Sequence, residues 1–149
     1  MYEFLYQRVL KEIGIEELSW DLAGGGGGLG PFSNAHTGIH ISARELARFG
    51  YLYLRRGIWN GKRVLPFWWI DTATKSSQDL NPDYGYTLWV NTHGTKWVNA
   101  PKDAYSFEGY RSNRCYVIPS LDLVVARIGT GPPMWHESDF IESLIRTIT

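Results

Sequence analysis

Hydrophobic and β-favouring residues form three short runs near the end of the 149-residue chain. These runs cover residues 104–109, 115–118 and 123–128, and turn-forming residues at Gly109 and at 119–122 separate them. Short runs divided by Gly or Pro are typical of antiparallel strands joined by tight connections. The last run, LVVARI, is almost entirely apolar, which favours a strand covered on both faces. We therefore predict three consecutive antiparallel strands, with this last strand at the centre of the core.

Apolar residues recur at helical spacing at both ends of the chain. In residues 2–13 they occupy positions 2, 5, 6, 9, 10 and 13, and Gly14 follows as a stop signal. Residues 137–148 carry the same spacing. Each segment is predicted to form an amphipathic helix.

A capping box marks a further helix in the middle of the chain. Ser42 and Glu45 are three positions apart, so the Ser hydroxyl can accept from the Glu45 amide while the Glu carboxylate accepts from the Ser42 amide. The helix continues through ARELARFGYLYLRR and is predicted to end at Gly57.

Turn signals divide the segment that follows this helix. Asn60-Gly61 is a strong two-residue hairpin signal and joins residues 57–59 to residues 62–65. Pro66 suits the first turn of a short helix over residues 66–75. Residues 84–91, YGYTLWVN, are predicted to form a strand.

The composition is that of a globular protein, and the length is that of one domain spanning residues 1–149. Apolar residues make up 44% of the chain and aromatic residues 15%, values that exclude a disordered chain. Seven residues are Trp. Because the indole carries a polar N–H, we expect some of these rings to line a pocket or to cover a sheet edge.

Charge and cysteine content exclude several function classes. Fifteen basic and fifteen acidic residues cancel, and no basic run exceeds Arg55-Arg56, so nucleic-acid binding has no electrostatic basis. No apolar run is long enough to span a membrane, and the start of the chain lacks the pattern of an export signal, which leaves the compartment open. The single cysteine, Cys115, lies in a β-favouring run and is predicted to be a buried apolar thiol.

Residues 23–38 are rich in glycine and cannot sustain a helix or a strand. Gly25, Gly27 and Gly30 have the spacing of a dinucleotide-binding fingerprint, but Pro31 follows where a helix should begin. We therefore predict a surface loop and no cofactor. A mobile rim of an active-site cleft is the functional alternative.

Two histidines flank the end of this segment. His36 and His40 are four residues apart, a spacing that suits a metal only on a helix, and Gly38 between them disfavours a helix. Both are interpreted as loop or cap residues, and no metal site is predicted.

Several of these motifs together resemble one known family. A strand ending at Gly109 is followed by VIPSLDL and then by VVARIG, and the upstream segment HISARELARFGYLYLRRGIWNGKRVLP supplies a helix and a hairpin. This order resembles the C-terminal part of the serine β-lactamase, penicillin-binding protein and esterase superfamily, of the class C β-lactamase and esterase type. The resemblance implies an α+β fold with an antiparallel sheet remnant of about three C-terminal strands and flanking helices, a partial β-lactamase/transpeptidase-like fold.

The motif that carries the nucleophile of that superfamily is absent. There the nucleophile is the Ser of S-x-x-K, whose Lys takes the hydroxyl proton during acylation. No Ser in this chain has Lys three positions later, and no Tyr-x-Asn or Ser-x-Asn is present. The resemblance thus implies that the chain is the C-terminal portion of a serine hydrolase and is inactive alone. One interpretation is that the whole enzyme is periplasmic or secreted.

The resemblance also implies a set of site residues. Phe107, Glu108 and Gly109 align with the third motif, where the family often has a cation and a Gly. The backbone N–H of Tyr110 would then supply half of an oxyanion hole, and Gly109 would leave room for the substrate. Phe107, Glu108 and Trp89 are expected beside a small-molecule ester or amide, the ester being preferred. The Glu108 carboxylate is expected to be solvated.

Two alternatives stay open at this point. One is a non-catalytic module that holds a small molecule, glycan or peptide in an aromatic cleft. The other is a fragment that completes its fold only with another chain and therefore self-associates through an uncovered sheet surface.

Overall fold

The computed structural model describes residues 2–16, 18–23, 32–33, 38–130 and 136–148. The four α-helices within these ranges are α1 (Tyr2–Leu5), α2 (Ala43–Leu54), α3 (Phe67–Ala73) and α4 (Glu137–Ile148). The first six strands are β1 (Ser19–Trp20), β2 (Leu22–Ala23), β3 (Phe32–Ser33), β4 (Ile39–His40), β5 (Ile58–Trp59) and β6 (Lys62–Arg63). The remaining strands are β7 (Trp89–Val90), β8 (Tyr105–Gly109), β9 (Asn113–Ile118) and β10 (Leu123–Arg127). The fold is α+β, as the sequence predicted.

The main sheet is antiparallel and has four strands in the order β10-β9-β8-β7. Strands β8, β9 and β10 are the three that the sequence predicted. The fourth, β7, is much shorter than the strand expected over residues 84–91. Thr87 has a φ of 61°, and Gly85 N–H bonds Leu88 O at 2.8 Å, so a turn interrupts the extended backbone before Trp89.

The centre of this sheet is β9, and the prediction that the LVVARI strand is central was wrong. Residues 115–118 of β9 are buried, whereas every residue of β10 is only half-buried. Strand β10 lies at the edge of the described sheet. Its faces are nevertheless both covered, since Val124 packs in the cluster beneath α2 and Val125 in the cluster beneath α4. The apolar run therefore reflects two covered faces rather than a central position.

Helix α2 covers one face of the sheet and begins at the predicted capping box. Ser42 Oγ accepts from the Glu45 amide at 3.2 Å, and the Glu45 carboxylate accepts from the Ser42 amide at 2.6 Å. Phe49 and Tyr53 of α2 pack on the sheet, and Tyr53 contacts the ring of Tyr105 in β8. Helix α2 therefore lies against β9 and β10, and the rings of Phe49 and Tyr53 reach across to β8.

Helix α4 covers the opposite face of the sheet. Its buried Ile141 joins a cluster with Tyr116 and Ile118 of β9 and with Trp97 from the β7–β8 connection. The amphipathic helix predicted from residues 137–148 is confirmed. None of the described helices has the length and apolar character that crossing a bilayer requires.

The N-terminal segment is helical to Ile13 as predicted, but it is not a regular α-helix. Helix α1 continues as a π-helical turn over Tyr6–Leu10 and a 3₁₀ turn over Lys11–Ile13. Gly14 ends it with a left-handed φ of 74°. Its buried residues pack against Leu52 of α2, so this segment lies beside the helix that covers the sheet.

Short ladders and turns complete the described chain. Asn60 and Gly61 have φ values of 47° and 79° and connect β5 to β6, which confirms the predicted hairpin. Helix α3 follows Pro66 as expected. His40 lies in β4, paired with β1, and not in a loop or cap as predicted. His36 and most of the glycine-rich segment lie outside the described residues. Its ends pair as β2 and β3, with Ala23 opposite Phe32, so the prediction that residues 23–38 hold no strand was wrong.

Candidate functional site

A cleft of about 360 Å³ opens where the β8–β9 turn meets α2 and the N-terminal helical segment. It is lined by Leu5, Leu10, Ile15, Gly38, Ile39, Ile41, Leu46, Phe49, Phe107, Glu108, Gly109, Tyr110, Asn113 and Ile128. The volume falls in the range of small-molecule sites. Four of the five site residues predicted from sequence, those at positions 107–110, are therefore brought together along one wall.

Phe107 faces α2 because successive side chains of a strand alternate between the two faces of the sheet. Its ring centroid lies 5.3 Å from that of Phe49 and 4.9 Å from that of Tyr53, both in edge-on arrangements. Such aromatic pairs contribute about 0.5–1.5 kcal/mol each beyond the burial of their area. Phe107 thus forms a fixed apolar floor of the cleft rather than a charged anchor.

The turn between β8 and β9 places Tyr110 at the mouth of the cleft, with 82% of the residue exposed. The next two residues, Arg111 and Ser112, have left-handed φ values of 59° and 64°. Residues with a β-carbon rarely adopt this backbone conformation, so surrounding contacts must stabilise the turn. Arg127 Nη1 donates to Ser112 O at 2.6 Å, and Asn113 Oδ1 accepts from the Gly129 amide at 2.9 Å. These bonds tie the turn to the end of β10.

Gly109 closes β8 directly beside this turn. A β-carbon added to it would lie 3.3 Å from the β-carbon of Asn113. That distance is tighter than ordinary van der Waals contact, so a larger residue would press on Asn113 at the wall of the cleft. The backbone of Gly109 is extended, with a φ of −121°.

Glu108 points to the other face of the sheet, and the prediction that its carboxylate is solvated was wrong. Only 11% of the side chain is exposed. Glu108 lies directly opposite Arg114 of β9, whose Nη2 is 3.4 Å from its carboxylate, and Ser106 Oγ donates to it at 2.9 Å. Lys96 Nζ lies 3.6 Å away.

A second carboxylate, Glu137 at the start of α4, completes this ionic cluster. Arg114 Nε donates to Glu137 at 2.7 Å, and Tyr116 Oη donates to the same oxygen at 2.6 Å. Lys96 Nζ lies 3.7 Å from the other oxygen. We refer to Lys96, Glu108, Arg114 and Glu137 as the ionic cluster. It joins β8, β9, α4 and the β7–β8 connection.

The two carboxylates of the ionic cluster have pKa values shifted in opposite directions. Burial raises the pKa of Glu108, and the charge of Glu137 raises it further, against the lowering effect of Lys96 and Arg114. Burial also raises the pKa of Glu137, but the hydrogen bonds from Tyr116 and Arg114 outweigh it, so the net shift is downward. Glu137 is therefore the more firmly ionised of the two.

Trp89, the fifth predicted site residue, does not line the cleft. Its ring packs in the cluster beneath α4, and Lys96 Nζ lies 3.9 Å from the ring centroid. Trp89 therefore lies outside the candidate substrate site. The expectation was that tryptophan rings line a pocket or cover a sheet edge. No described Trp lines the cleft, and Trp89 lies in the edge strand β7.

Sequence reasoning missed both the part of the cleft that α2 contributes and the ionic cluster. Leu46 and Phe49 of α2 line the cleft, and the sequence predicted the helix that holds them but no site on it. A usable signal for the cluster was Arg114, a charged residue directly before the apolar run 115–118. Among the described residues that line the cleft there is no Ser, Cys, Lys or His, and no three potential metal ligands converge in the described part of the chain.

The chain matches no family profile. It is 29% identical over 98 residues to an uncharacterized protein of Alkalihalophilus pseudofirmus, a match that covers 60% of this chain and 29% of that protein.

Two solved structures are similar to the chain. A putative beta-lactamase from Bacteroides dorei matches with a TM-score of 0.64 and 12% identity, over 97% of this chain and 50% of that one. A putative 6-aminohexanoate-dimer hydrolase from Bacillus anthracis matches with a TM-score of 0.51 and 21% identity, over 74% of this chain and 28% of that one. The chain thus spans half or less of the length of each of these proteins, and its fold is β-lactamase-like.

Proposed function

We propose that the chain is the C-terminal portion of a serine hydrolase of β-lactamase-like fold and forms one wall of its substrate cleft. The observation that carries this proposal is the position of residues 107–110 along an apolar cleft within such a fold. The sequence contains no S-x-x-K, so the nucleophile belongs to residues outside these 149. The chain alone is then expected to be inactive.

The proposed reaction uses the turn after β8 to stabilise charge. The serine oxygen adds to the ester or amide carbonyl carbon, and the negative charge that develops on the carbonyl oxygen accepts a hydrogen bond from the Tyr110 N–H. The hydroxyl proton passes to the lysine of the S-x-x-K motif and from it to the alcohol or amine as that group leaves. Water then hydrolyses the acyl-enzyme, which releases the acid and restores the serine hydroxyl. Gly109 keeps the approach to this N–H free of a side chain.

The lining of the cleft favours a neutral substrate with an apolar acyl group. The described lining residues are mainly aliphatic or aromatic, and none is a cation. The side chain of Glu108, the one charged residue among them, is directed into the ionic cluster. A substrate carboxylate such as that of a penicillin would find no partner there, so esters are preferred over β-lactams.

The test is a titration of the ¹⁵N-labelled chain with ethyl hexanoate, followed by amide chemical shifts. We expect the Tyr110 amide proton to move downfield as it donates to the ester carbonyl, together with shifts at Phe107 and Gly109. Benzylpenicillin at equal concentration is expected to leave these resonances in place. If the amide chemical shifts of residues 107–110 do not change when the ester is added, the proposal is contradicted.

Inactivity is tested separately with a fluorophosphonate probe and a nitrophenyl hexanoate assay. We expect no labelled serine and no hydrolysis above buffer. Stoichiometric labelling of one serine within the 149 residues would place the nucleophile inside this chain and overturn that part of the proposal.

A second candidate is a binding module without chemistry. The aromatic floor formed by Phe49 and Phe107, with no Ser, Cys or Lys in the described lining, favours it. Saturable shifts of residues 107–110 with a glycan or peptide, and none with the ester, would select this candidate.

We also propose that the chain self-associates through β10. Its outer side carries no partner strand among the described residues, and an uncovered sheet edge is a template for pairing with a second copy of the chain. Analytical ultracentrifugation over a dilution series should give a mass above 17.0 kDa at high concentration. A constant monomer mass would contradict this.

A further inference from the structure

One guanidinium links the ionic cluster to the backbone of the cleft. Arg114 Nη1 donates to Gly109 O at 3.0 Å and to Asn113 O at 3.0 Å. Through Nε, the same side chain donates to Glu137 at 2.7 Å. Only 16% of the Arg114 side chain is exposed. Glu137 therefore holds the guanidinium on one side, and on the other side the guanidinium donates to the carbonyl of Gly109, the last residue of β8.

We infer that Arg114 is a positioning residue that orients the Tyr110 N–H for the carbonyl oxygen of the substrate. This inference rests on the proposed function, because it concerns the same N–H. The carbonyl of Gly109 and the N–H of Tyr110 belong to one planar trans peptide, in which the two groups point in opposite directions. A donor fixed on the carbonyl thus directs the N–H away from the ionic cluster.

Neither of the two residues anchors this peptide through a buried side chain. Gly109 has none, and Tyr110 is 82% exposed. The two residues that follow adopt left-handed conformations at a cost. The hydrogen bonds at Gly109 O and Asn113 O therefore fix the backbone on both sides of the turn.

The positive charge adds a second effect to the orientation. A charged donor on a carbonyl oxygen polarises the peptide and strengthens the hydrogen bond that its N–H can donate. Arginine suits this role because its planar fork of donors can contact Glu137, Glu108 and Gly109 O together. The single ammonium group of lysine cannot span these three acceptors.

The test compares Arg114→Lys with Arg127→Lys in the labelled chain without substrate. Arg127 also binds backbone carbonyls of this region, at Ser112 and Gly129, but not the 109–110 peptide. In Arg114→Lys we expect upfield shifts of the Gly109 carbonyl carbon and the Tyr110 amide nitrogen, larger than at any β10 residue. In Arg127→Lys the changes should centre on Ser112 and Gly129.

Ethyl hexanoate binding then gives the functional readout. It should weaken about fivefold to tenfold in Arg114→Lys, the size expected when one hydrogen bond is misdirected. Equal shifts at Gly109 and Tyr110 in both variants would overturn the inference. If Arg114→Lys does not fold, scalar coupling across the hydrogen bond between Arg114 Nη and the Gly109 carbonyl carbon is sought in the unaltered chain, and its absence overturns the inference. The chemical-shift changes at Gly109 and Tyr110 are measured without ester. If the unaltered chain does not bind ester, that result therefore contradicts the proposed function and leaves the test of Arg114 intact.

Discussion

Helix α2 approaches the sheet so closely at Gly50 that a β-carbon on this residue would lie 2.5 Å from Sγ of Cys115. The same atom would lie 2.8 Å from Cγ1 of Val124. We expect Gly50→Ala to lower the free energy of unfolding by about 1–2 kcal/mol. This is the overpacking cost of about 1–3 kcal/mol reduced by the better helix propensity of Ala. Urea denaturation of the two proteins measures the difference.

A double variant separates this clash from other effects of the added methyl group. In Cys115→Ala the sulfur that meets the added β-carbon is gone, although a small void costs stability by itself. The double variant should lose less than the sum of the two single losses, because the sites are in contact. Strict additivity would show that the close approach to Cys115 is not the cause.

Cys115 should be chemically silent in the native chain. Burial raises the pKa of its thiol to about 12, and the residue has no exposed surface. Because only the thiolate reacts, we expect no modification by a chromogenic disulfide at pH 8 and one thiol per chain in denaturant. Rapid labelling of the native chain would mean that α2 lifts from the sheet often.

Asn91 should be the most sensitive polar position of the β7–β8 connection. It is fully buried, and its Nδ2 lies 3.0–3.1 Å from the carbonyl oxygens of Trp97, Ala100 and Pro101, which share its two N–H donors. Its Oδ1 accepts from the Trp97 amide at 2.9 Å. We expect Asn91→Ala to cost about 2–4 kcal/mol, because it leaves several buried backbone groups unpaired.

The exposed Asn99 of the same connection provides the matched control. Its amide bonds Glu142 at the surface, where water can replace the lost partner. Asn99→Ala should therefore stay within about 0.5 kcal/mol of the unaltered chain. Equal losses in both variants would show that burial of Asn91 does not decide its contribution.

The strand order shows where hydrophobicity stops being informative. The run LVVAR indicates correctly that both faces of β10 are covered, because side chains report on the layers above and below a strand. They do not report on its in-plane neighbours, which are set by backbone hydrogen bonds. The sequence therefore could not separate the edge strand β10 from the central strand β9. The capping box and the Asn60-Gly61 turn were predictable because their determinants are local.

For the candidate site too, local features could be predicted from the sequence, and contacts between distant segments could not. Residues 107–110 were found from a resemblance carried by a contiguous motif, and strand alternation places Phe107 and Glu108 on opposite faces. The partners of Glu108 could not be found, because Lys96 and Glu137 come from segments 12 residues before it and 29 residues after it. Only tertiary packing of α4 and the β7–β8 connection brings these charges together. Glu108 was therefore misjudged as solvated.

Glu108 should make the native chain less stable as pH rises. Its pKa in the folded chain is above the ordinary value of 4.5, mainly because of burial and then the charge of Glu137. The folded state thus binds this proton more tightly than the unfolded state, and its stabilising effect is lost as pH rises from 4.5 through the folded pKa. Glu108→Gln should gain stability relative to the unaltered chain across that window. A stability difference independent of pH would contradict the raised pKa.

Glu137 should show the opposite dependence. Its pKa lies below 4.5 despite burial, because Tyr116 and Arg114 donate to its ionised form. The ionised carboxylate therefore contributes stability that is complete above pH 4.5 and is lost as pH falls through the folded pKa. Glu137→Gln should be destabilised at pH 7, with the difference shrinking on acidification. Lys96, Glu108 and Arg114 face the same carboxylate, so pH-dependent denaturation is measured for both glutamine variants and for the double variant. If Glu137→Gln and Glu108→Gln change stability with the same sign of pH dependence, the assignment of the more firmly ionised carboxylate to α4 is wrong.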